Sequence, residues 1–352
     1  MNEESIHTVM IDEILNKLEQ HILIDVRSPQ EFEDFRMPGA VNIPIFSNDE
    51  RAEVGTLYKQ VSQDAAKMRG IEIASSKLPE IYETVKKLAE DHPEKTLAVY
   101  CARGGMRSRS IAVTMSMMGI PCVQAEGGIR SYRKKVDAYL SALDGSDKPI
   151  IVLEGLTGTM KTDILSHLQQ DGLPVVNMEK MARHKGSIFG QIGESPATQK
   201  DFEAQLYHRL SELEESPYWM IESESKRIGR AVVPEFLLQG KYSGKRIYLH
   251  VPFQIRVEYI CGLYQPKKYK QDIEAAVMKL GKRIAPEVFS EIKTAINDLD
   301  YETVTALLLE HYYDPRYSHA HDRYESECVE IHVKSIPEAA EKIKDVLTQW
   351  KL

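Results

Sequence analysis

Cysteine is scarce in this 352-residue chain, and the four present, Cys101, Cys122, Cys261 and Cys328, stand far apart. There is no C-x-x-C pair and no His/Cys cluster at zinc spacing, which argues against a structural metal and a disulfide framework. Long apolar runs are lacking too. None approaches the ~18–20 residues of a membrane span, and the start, Met1-Asn2-Glu3-Glu4, is acidic without a signal-type hydrophobic region. A cytoplasmic location with no membrane partner is the expectation. Positive charge is not in excess: 45 Lys and Arg face 53 Asp and Glu, a formal charge of −8. That argues against a non-specific nucleic-acid binder and leaves room for a local basic face that engages one RNA. Low-complexity and disordered bias are absent, and the length suits two ordinary domains.

What is present is one cysteine in a particular setting. The β-type run Thr96–Tyr100 leads into Tyr100-Cys101-Ala102-Arg103-Gly104-Gly105-Met106-Arg107-Ser108, and a helical pattern begins at Ser110. A helix start gathers backbone N–H groups and the positive end of the helix dipole. With two arginines beside it, a thiol there favours the thiolate. Cys101 and Arg107 are therefore the candidate catalytic pair, and Arg103, Gly104, Gly105 and Met106 the candidate anion-holding loop. The competing reading is a small buried hydrophobe. The spacing is C-x5-R, which serves sulfur-group or selenium-group transfer on a persulfide-like cysteine, or phosphate or arsenate chemistry through a thiophosphate. The loop alone does not choose.

Around the loop, strand and helix signals alternate. Residues 10–20 suggest a short amphipathic helix. His21–Arg27 suggests a buried strand, and Ser28-Pro29 an N-cap with proline in the first turn. Residues 37–44 suggest a turn into a short strand. Helices are expected over 50–73 and 79–91, a strand over 120–123, and a turn at Gly127-Gly128 into a further helix. Such alternation predicts a parallel sheet covered on both faces, with ligands beyond the carboxyl ends of its strands. On Leu23–Phe32, Pro38–Pro44, the cysteine loop and Glu126–Ile129, the stretch from 6 to 143 resembles a rhodanese domain.

After a polar linker at 144–149, the apolar run Pro149–Leu153 enters Glu154-Gly155-Leu156-Thr157-Gly158-Thr159-Met160-Lys161-Thr162 and a helix over 163–170. Strand, glycine loop, Lys-Thr and helix form the layout of a phosphate-binding P-loop. Backbone amides would cradle phosphate, Lys161 would neutralise charge, and Thr162 could hold Mg²⁺. Met160 stands where the pattern wants glycine, and a side chain there is expected to crowd the site or change the loop. An ordinary strand–turn–helix is the competing reading. Glu222 and Glu224 follow the strand signal at 218–221 and are candidate Mg²⁺ partners; capping the next helix is the other role open to them. Lys267, Lys268, Lys270 and Arg316 sit among aromatics and are candidate RNA contacts, or else solvated surface. The last third is expected to be helical over 286–299 and 301–311. An aromatic-basic turn (312–317), a strand (328–333) and a helix (337–350) follow. The predicted fold is α/β, with a rhodanese-like parallel-sheet domain at 1–145 and a P-loop NTPase-like α/β domain with a helical C-terminal part at 146–352.

Taken whole, the chain resembles the tRNA 2-selenouridine synthase family. The resemblance rests on the cysteine loop, Gly155–Gly158 with Lys161-Thr162, Arg183–Gly190, Glu222–Gly229 and Tyr313–Tyr317. It implies a reaction on tRNA bearing 2-thiouridine at the wobble position: geranylation of the sulfur by geranyl diphosphate, then replacement of S-geranyl by selenium from selenophosphate. Under that resemblance Gly155, Thr157, Gly158, Lys161 and Thr162 hold the diphosphate, with Arg183, Lys185 and Arg227 as further clamps. Cys101 accepts selenium as a perselenide-type species, in a loop one residue longer than the common C-x4-R sulfurtransferase loop. Asp25 and Arg27 support that loop. No tightly bound cofactor is expected beyond a candidate Mg²⁺, and the enzyme that makes selenophosphate is a candidate partner. Three other readings stay open: a C-x5-R phosphatase or arsenate reductase, a sulfur-relay protein that binds tRNA, and a P-loop kinase with a rhodanese appendage.

Overall fold

The structure is a computed structural model, and it describes residues 7–317 and 328–352. The chain divides into two compact units, Met1–Ser141 and Ala142–Leu352.

The first unit runs β1 (Thr8–Val9), α1 (Ile11–Leu15), β2 (His21–Asp25), α2 (Pro29–Asp34), β3 (Val41–Asn42), α3 (Asn48–Gln60) and α4 (Gln63–Asp91). It continues through β4 (Thr96–Tyr100), α5 (Met106–Met117), β5 (Cys122–Ala125) and α6 (Gly128–Ala142). Its five strands form one parallel sheet in the order β1-β5-β4-β2-β3. Leu97, Ala98, Val99 and Tyr100 are all buried, as strands covered on both faces must be. Asp25 of β2 lies beside Tyr100 of β4, and the chain leaves these two central strands in opposite directions across the sheet. That reversal opens a crevice at their carboxyl ends. One expectation is corrected here. The helical stretch breaks at Val61-Ser62, where Ser62 caps α4 by accepting from the Ala65 N–H, and Pro79 lies inside α4. The apolar face of α4 explains why proline does not end it. Ile73, Leu78, Ile81, Tyr82 and Val85 pack on one core from both sides of Pro79, and that burial outweighs the lost hydrogen bond.

The second unit runs β6 (Ile150–Gly155), α7 (Lys161–Gln170), β7 (Val175–Val176), α8 (Met178–Ala182), α9 (Gln199–Glu212), β8 (Trp219–Glu222), β9 (Arg227–Ile228), β10 (Ala231–Val232), α10 (Glu235–Ser243) and β11 (Lys245–His250). Four further helices, α11 (Phe253–Tyr264), α12 (Lys270–Leu280), α13 (Pro286–Asn297) and α14 (Tyr301–Leu308), are followed by a π-helix at Leu309–Tyr313. Then come α15 (Asp314–Tyr317), β12 (Cys328–His332) and α16 (Ile336–Gln349). The sheet is again parallel, β12-β11-β6-β8-β7, with β9 and β10 as a separate antiparallel pair. β6 is buried throughout and lies between β11 and β8, so the loop after it opens at another reversal of strand order. Helices α12–α14 enclose a core of their own around Val277, Leu280 and Ile292. A second correction falls at 312–317. These residues continue the helical path through the π-helix and α15; Tyr312 buries its ring in that core, which holds the segment helical.

Candidate active sites

β4 delivers Cys101 to the crevice, and the residues after it wrap the sulfur. Cys101 is only 3% exposed. Its Sγ accepts from the Ser108 hydroxyl at 3.2 Å. Burial pushes the thiol pKa up, but Ser108 and the amides of Arg103, Ser108 and Gly105 together bring it below its ordinary value. Gln124, buried on β5, supports the serine. Its amide donates to Ser108 Oγ at 3.0 Å and to the Gly104 carbonyl at 2.8 Å, and the hydroxyl has the sulfur at 3.2 Å and the Gly105 carbonyl at 3.3 Å as acceptors. The loop's carbonyls are pinned by N–H groups of α6: Ile129 donates to Cys101 at 2.9 Å and Arg130 to Ala102 at 3.2 Å. Gly104, at φ +64°, has no room for a side chain, since a Cβ would lie 2.7 Å from the Gly127 nitrogen.

Arg107 is gripped from outside the loop. Its guanidinium donates to Glu31 at 3.0 Å, and Arg51 reaches the same oxygen at 3.3 Å. Glu31 also closes the capping box of α2 with Ser28. Burial raises its pKa, yet Arg107 and then Arg51 hold it below the usual value. Arg103, Gly105 and Met106 stand exposed at the mouth. Asp25 and Arg27 form a buried pair at 2.6 Å, and the Arg27 guanidinium also donates to the Phe35 carbonyl. They brace the crevice and lie under it.

In the second unit the loop after β6 takes P-loop shape. Gly155 and Gly158 have φ of +154° and +84°, and Met160 itself adopts the left-handed conformation at φ +60°. Met160 therefore supplies the backbone geometry that glycine would supply, at a cost of about 1–2 kcal/mol. Its side chain packs into the sheet core with Ile151, Leu153 and Ile164, which removes the expected crowding. Lys161 Nζ bridges the loop, donating to the carbonyls of Gly155 at 2.8 Å and Leu156 at 3.2 Å. The amides of the first turn of α7 have no acceptor within their own helix and open toward the loop. Arg256 braces the loop from α11, donating to the Thr157 carbonyl at 2.8 Å.

The cleft around this loop is lined by Thr157–Asp163, Glu179, Arg183, Lys185, Glu224 and Tyr264, among others. Thr162 donates its hydroxyl to Glu179, on the first turn of α8. The Glu179 N–H donates to Glu222 at 2.6 Å. Burial, then Glu224, pushes the Glu179 carboxyl up to about 8. Burial, then Glu179 and Glu224, holds Glu222 well above the ordinary value, and burial raises Glu224 as well.

Residues 148–349 match the family model described as the tRNA 2-selenouridine synthase AAA domain, and 10–135 match the rhodanese-like domain. The chain belongs to the tRNA 2-selenouridine synthase family. The tRNA 2-selenouridine synthase of Bdellovibrio bacteriovorus is 30% identical, over 89% of this chain and 92% of that one. The protein of the same name from Chromohalobacter salexigens is 31% identical, over 84% and 86%. A solved N-terminal domain from Clostridium difficile 630 is 40% identical, covering 37% of this chain and 98% of its own, with a TM-score of 0.35. The resemblance read from the sequence and the α/β two-domain fold are both borne out by these matches and by the sheets.

Within this tRNA 2-selenouridine synthase family member, the remaining site candidates divide. Arg183 and Lys185 reach the cleft wall but carry partners, Asp201 at 2.8 Å and Glu194 at 3.2 Å. Arg227 is exposed on β9 and is not among the residues lining the cleft. Glu222 lies beneath the cleft floor, 1% exposed, with one carboxyl oxygen unpartnered. Lys267, Lys268 and Lys270 are exposed at and after the α11–α12 turn. Arg316 stacks on the Tyr312 ring at 3.9 Å and donates to its hydroxyl. Among the described residues no three acidic, histidine or cysteine side chains converge as a metal cage. The donor set fits a Mg²⁺ held mainly by substrate phosphate and water, with Thr162 and Glu179 as the protein's ligands. Gln124, Glu31, Glu179 and Arg256 went unrecognised in the sequence. Of these, Glu179 carried a local signal, just past an apolar strand run, and Glu31 one as the end of the S-x-x-E pattern Ser28–Glu31.

Proposed function

We propose that this chain converts 2-thiouridine at the tRNA wobble position to 2-selenouridine in two steps, one in each unit. The observation that carries this reading is the pairing, within one member of this family, of a thiolate-favouring loop with a P-loop cleft. In the first step the 2-thiouridine sulfur attacks C1 of geranyl diphosphate. The C–O bond breaks, diphosphate leaves and N3 loses its proton. Negative charge grows on the leaving group, and Lys161 with the amides around Gly158 and at the start of α7, all lining the cleft, stabilises it. A bound Mg²⁺ would share that charge. The site then acts on diphosphate as a leaving group and need not hydrolyse a nucleotide.

In the second step the Cys101 loop holds selenophosphate and passes selenium to C2. Geranylthiol and phosphate depart, with water supplying the phosphate oxygen, so selenium enters at the oxidation level it has in the donor. Ser108 and the loop amides favour the thiolate, and Arg107, held by Glu31, is the cation we assign to the anion bound in that loop.

The test is mass spectrometry of wobble nucleosides from cells carrying single variants. Cys101→Ala is expected to accumulate the S-geranyl nucleoside, and Lys161→Ala to stop at 2-thiouridine. Identical profiles from the two variants would show that the steps are not divided this way.

A further inference from the structure

The P-loop cleft continues past its polar wall. Thr157, Ser187, Ile260, Tyr264 and Tyr313 line it and also line a second cavity. Beyond that shared rim the walls are apolar, including Phe189, Ile273, Val304 and Leu308, and no charged side chain lines them. The cavity is small, ≈ 60 Å³, below the ~300–1,000 Å³ of drug-sized ligand sites, so it suits a slender chain rather than a ring system. Two pairs of its polar groups are engaged with each other, while the Tyr301 hydroxyl is buried without a hydrogen-bond partner. Ser187 and Tyr264 share a hydrogen bond at 3.1 Å, and Cys261 Sγ lies 3.4 Å from Thr305 Oγ1. Burial raises the Cys261 pKa, which keeps that thiol neutral.

The way the cavity is built points the same way. Tyr301, Val304 and Leu308 come from α14, and Ile260, Cys261 and Tyr264 from α11. The π-helix contributes Leu309 and Tyr313. Such wide turns are rare and gather at functional sites. Arg256 links this wall to the phosphate end. It donates to Thr157 in the loop and, through both terminal nitrogens, to Asp314 just after the π-helix, at 2.6 and 3.0 Å.

We propose that this cavity takes the apolar tail of a ligand whose diphosphate lies in the P-loop cleft: a prenyl chain of about ten carbons. The inference rests on the diphosphate reading above and adds where the chain lies and which helices measure its length. A nucleotide suits the space poorly, because its ribose and base would leave donors and acceptors without partners among these walls.

The test is calorimetric binding of inorganic diphosphate, geranyl diphosphate and ADP to the full chain and to two cavity-filling variants, Val304→Phe and Cys261→Leu. Wild type is expected to bind geranyl diphosphate about a hundredfold more tightly than inorganic diphosphate, or ~2.7 kcal/mol, with no such gain for ADP. Each variant is expected to lose roughly tenfold or more of that advantage while holding inorganic diphosphate within about twofold. Cys261 is a half-buried helical position, so Cys261→Leu keeps the test open if Val304→Phe does not fold. Equal wild-type affinity for the two diphosphates, or an advantage that both variants leave intact, overturns the cavity assignment and spares the P-loop reading. Failure of wild type to bind inorganic diphosphate overturns both.

Discussion

Met160 offers a test in which the sign of an effect, rather than its size, decides. The residue is 6% exposed and left-handed at φ +60°. Truncating its side chain costs about 2–5 kcal/mol, whether to Ala or Gly. The two variants part over the backbone. Alanine keeps a left-handed penalty of about 1–2 kcal/mol that glycine escapes. Glycine loses about 0.4–1 kcal/mol through the greater freedom of its unfolded chain. The balance leaves Met160→Gly more stable than Met160→Ala by about 0.5–1 kcal/mol. In an ordinary helix the order reverses: at exposed Lys293 on α13, alanine is expected to exceed glycine by about 1 kcal/mol. The chain has two tryptophans, Trp219 and Trp350, both in the second unit, so urea denaturation followed by tryptophan fluorescence reports on that unit. If Met160→Ala equals or exceeds Met160→Gly, the left-handed assignment is refuted, and with it the account of how the loop manages without glycine.

Two further outcomes follow from the buried titrating groups. Ser108→Ala is expected to move the pH midpoint of Cys101 alkylation upward by roughly one to two units, the worth of a hydrogen bond to a charged group. Gln124→Leu is expected to shift it the same way by less, and an unmoved midpoint in both would remove the relay. Glu179 rises on folding from 4.5 to about 8, through burial and then Glu224. A carboxyl raised by folding takes up a proton as the chain folds. Its contribution is therefore full below the unfolded value and is lost as pH climbs toward 8. Stability of the second unit should decline between about pH 5 and about pH 8, and Glu179→Gln should flatten the decline. Denaturation midpoints at the two pH values check this, and an unchanged slope in the variant counts against the carboxyl cluster.

Legibility in the sequence followed distance along the chain. Strand, glycine loop and helix are contiguous, so Cys101 and Lys161 could be placed at the carboxyl ends of central strands before any coordinates. The grip of Glu31 on Arg107 spans 76 residues and that of Arg256 on the P-loop 99; no local pattern encodes either. Met160 shows a different limit. Its departure from the glycine pattern was visible, but the direction of its side chain depends on a core assembled from β6, α7 and α16. The expectation of separate helices over 50–73 and 79–91 misses the packing that carries one helix through Pro79, because that packing comes from residues on both sides of it.

The pair formed by Arg256 and Asp314 makes two recognition tasks mechanically inseparable. Breaking this half-buried pair leaves the buried Arg256 guanidinium without its carboxylate, at a cost of up to about 3–5 kcal/mol. The loop at Thr157 and the end of the π-helix therefore shift as one body or not at all. Under such a constraint, the energetic effects of altering the loop and of altering that wall should not sum. A double-mutant cycle across the bridge would register the excess as a coupling free energy. Adapting the cavity to another chain length then means retuning the anion end with it.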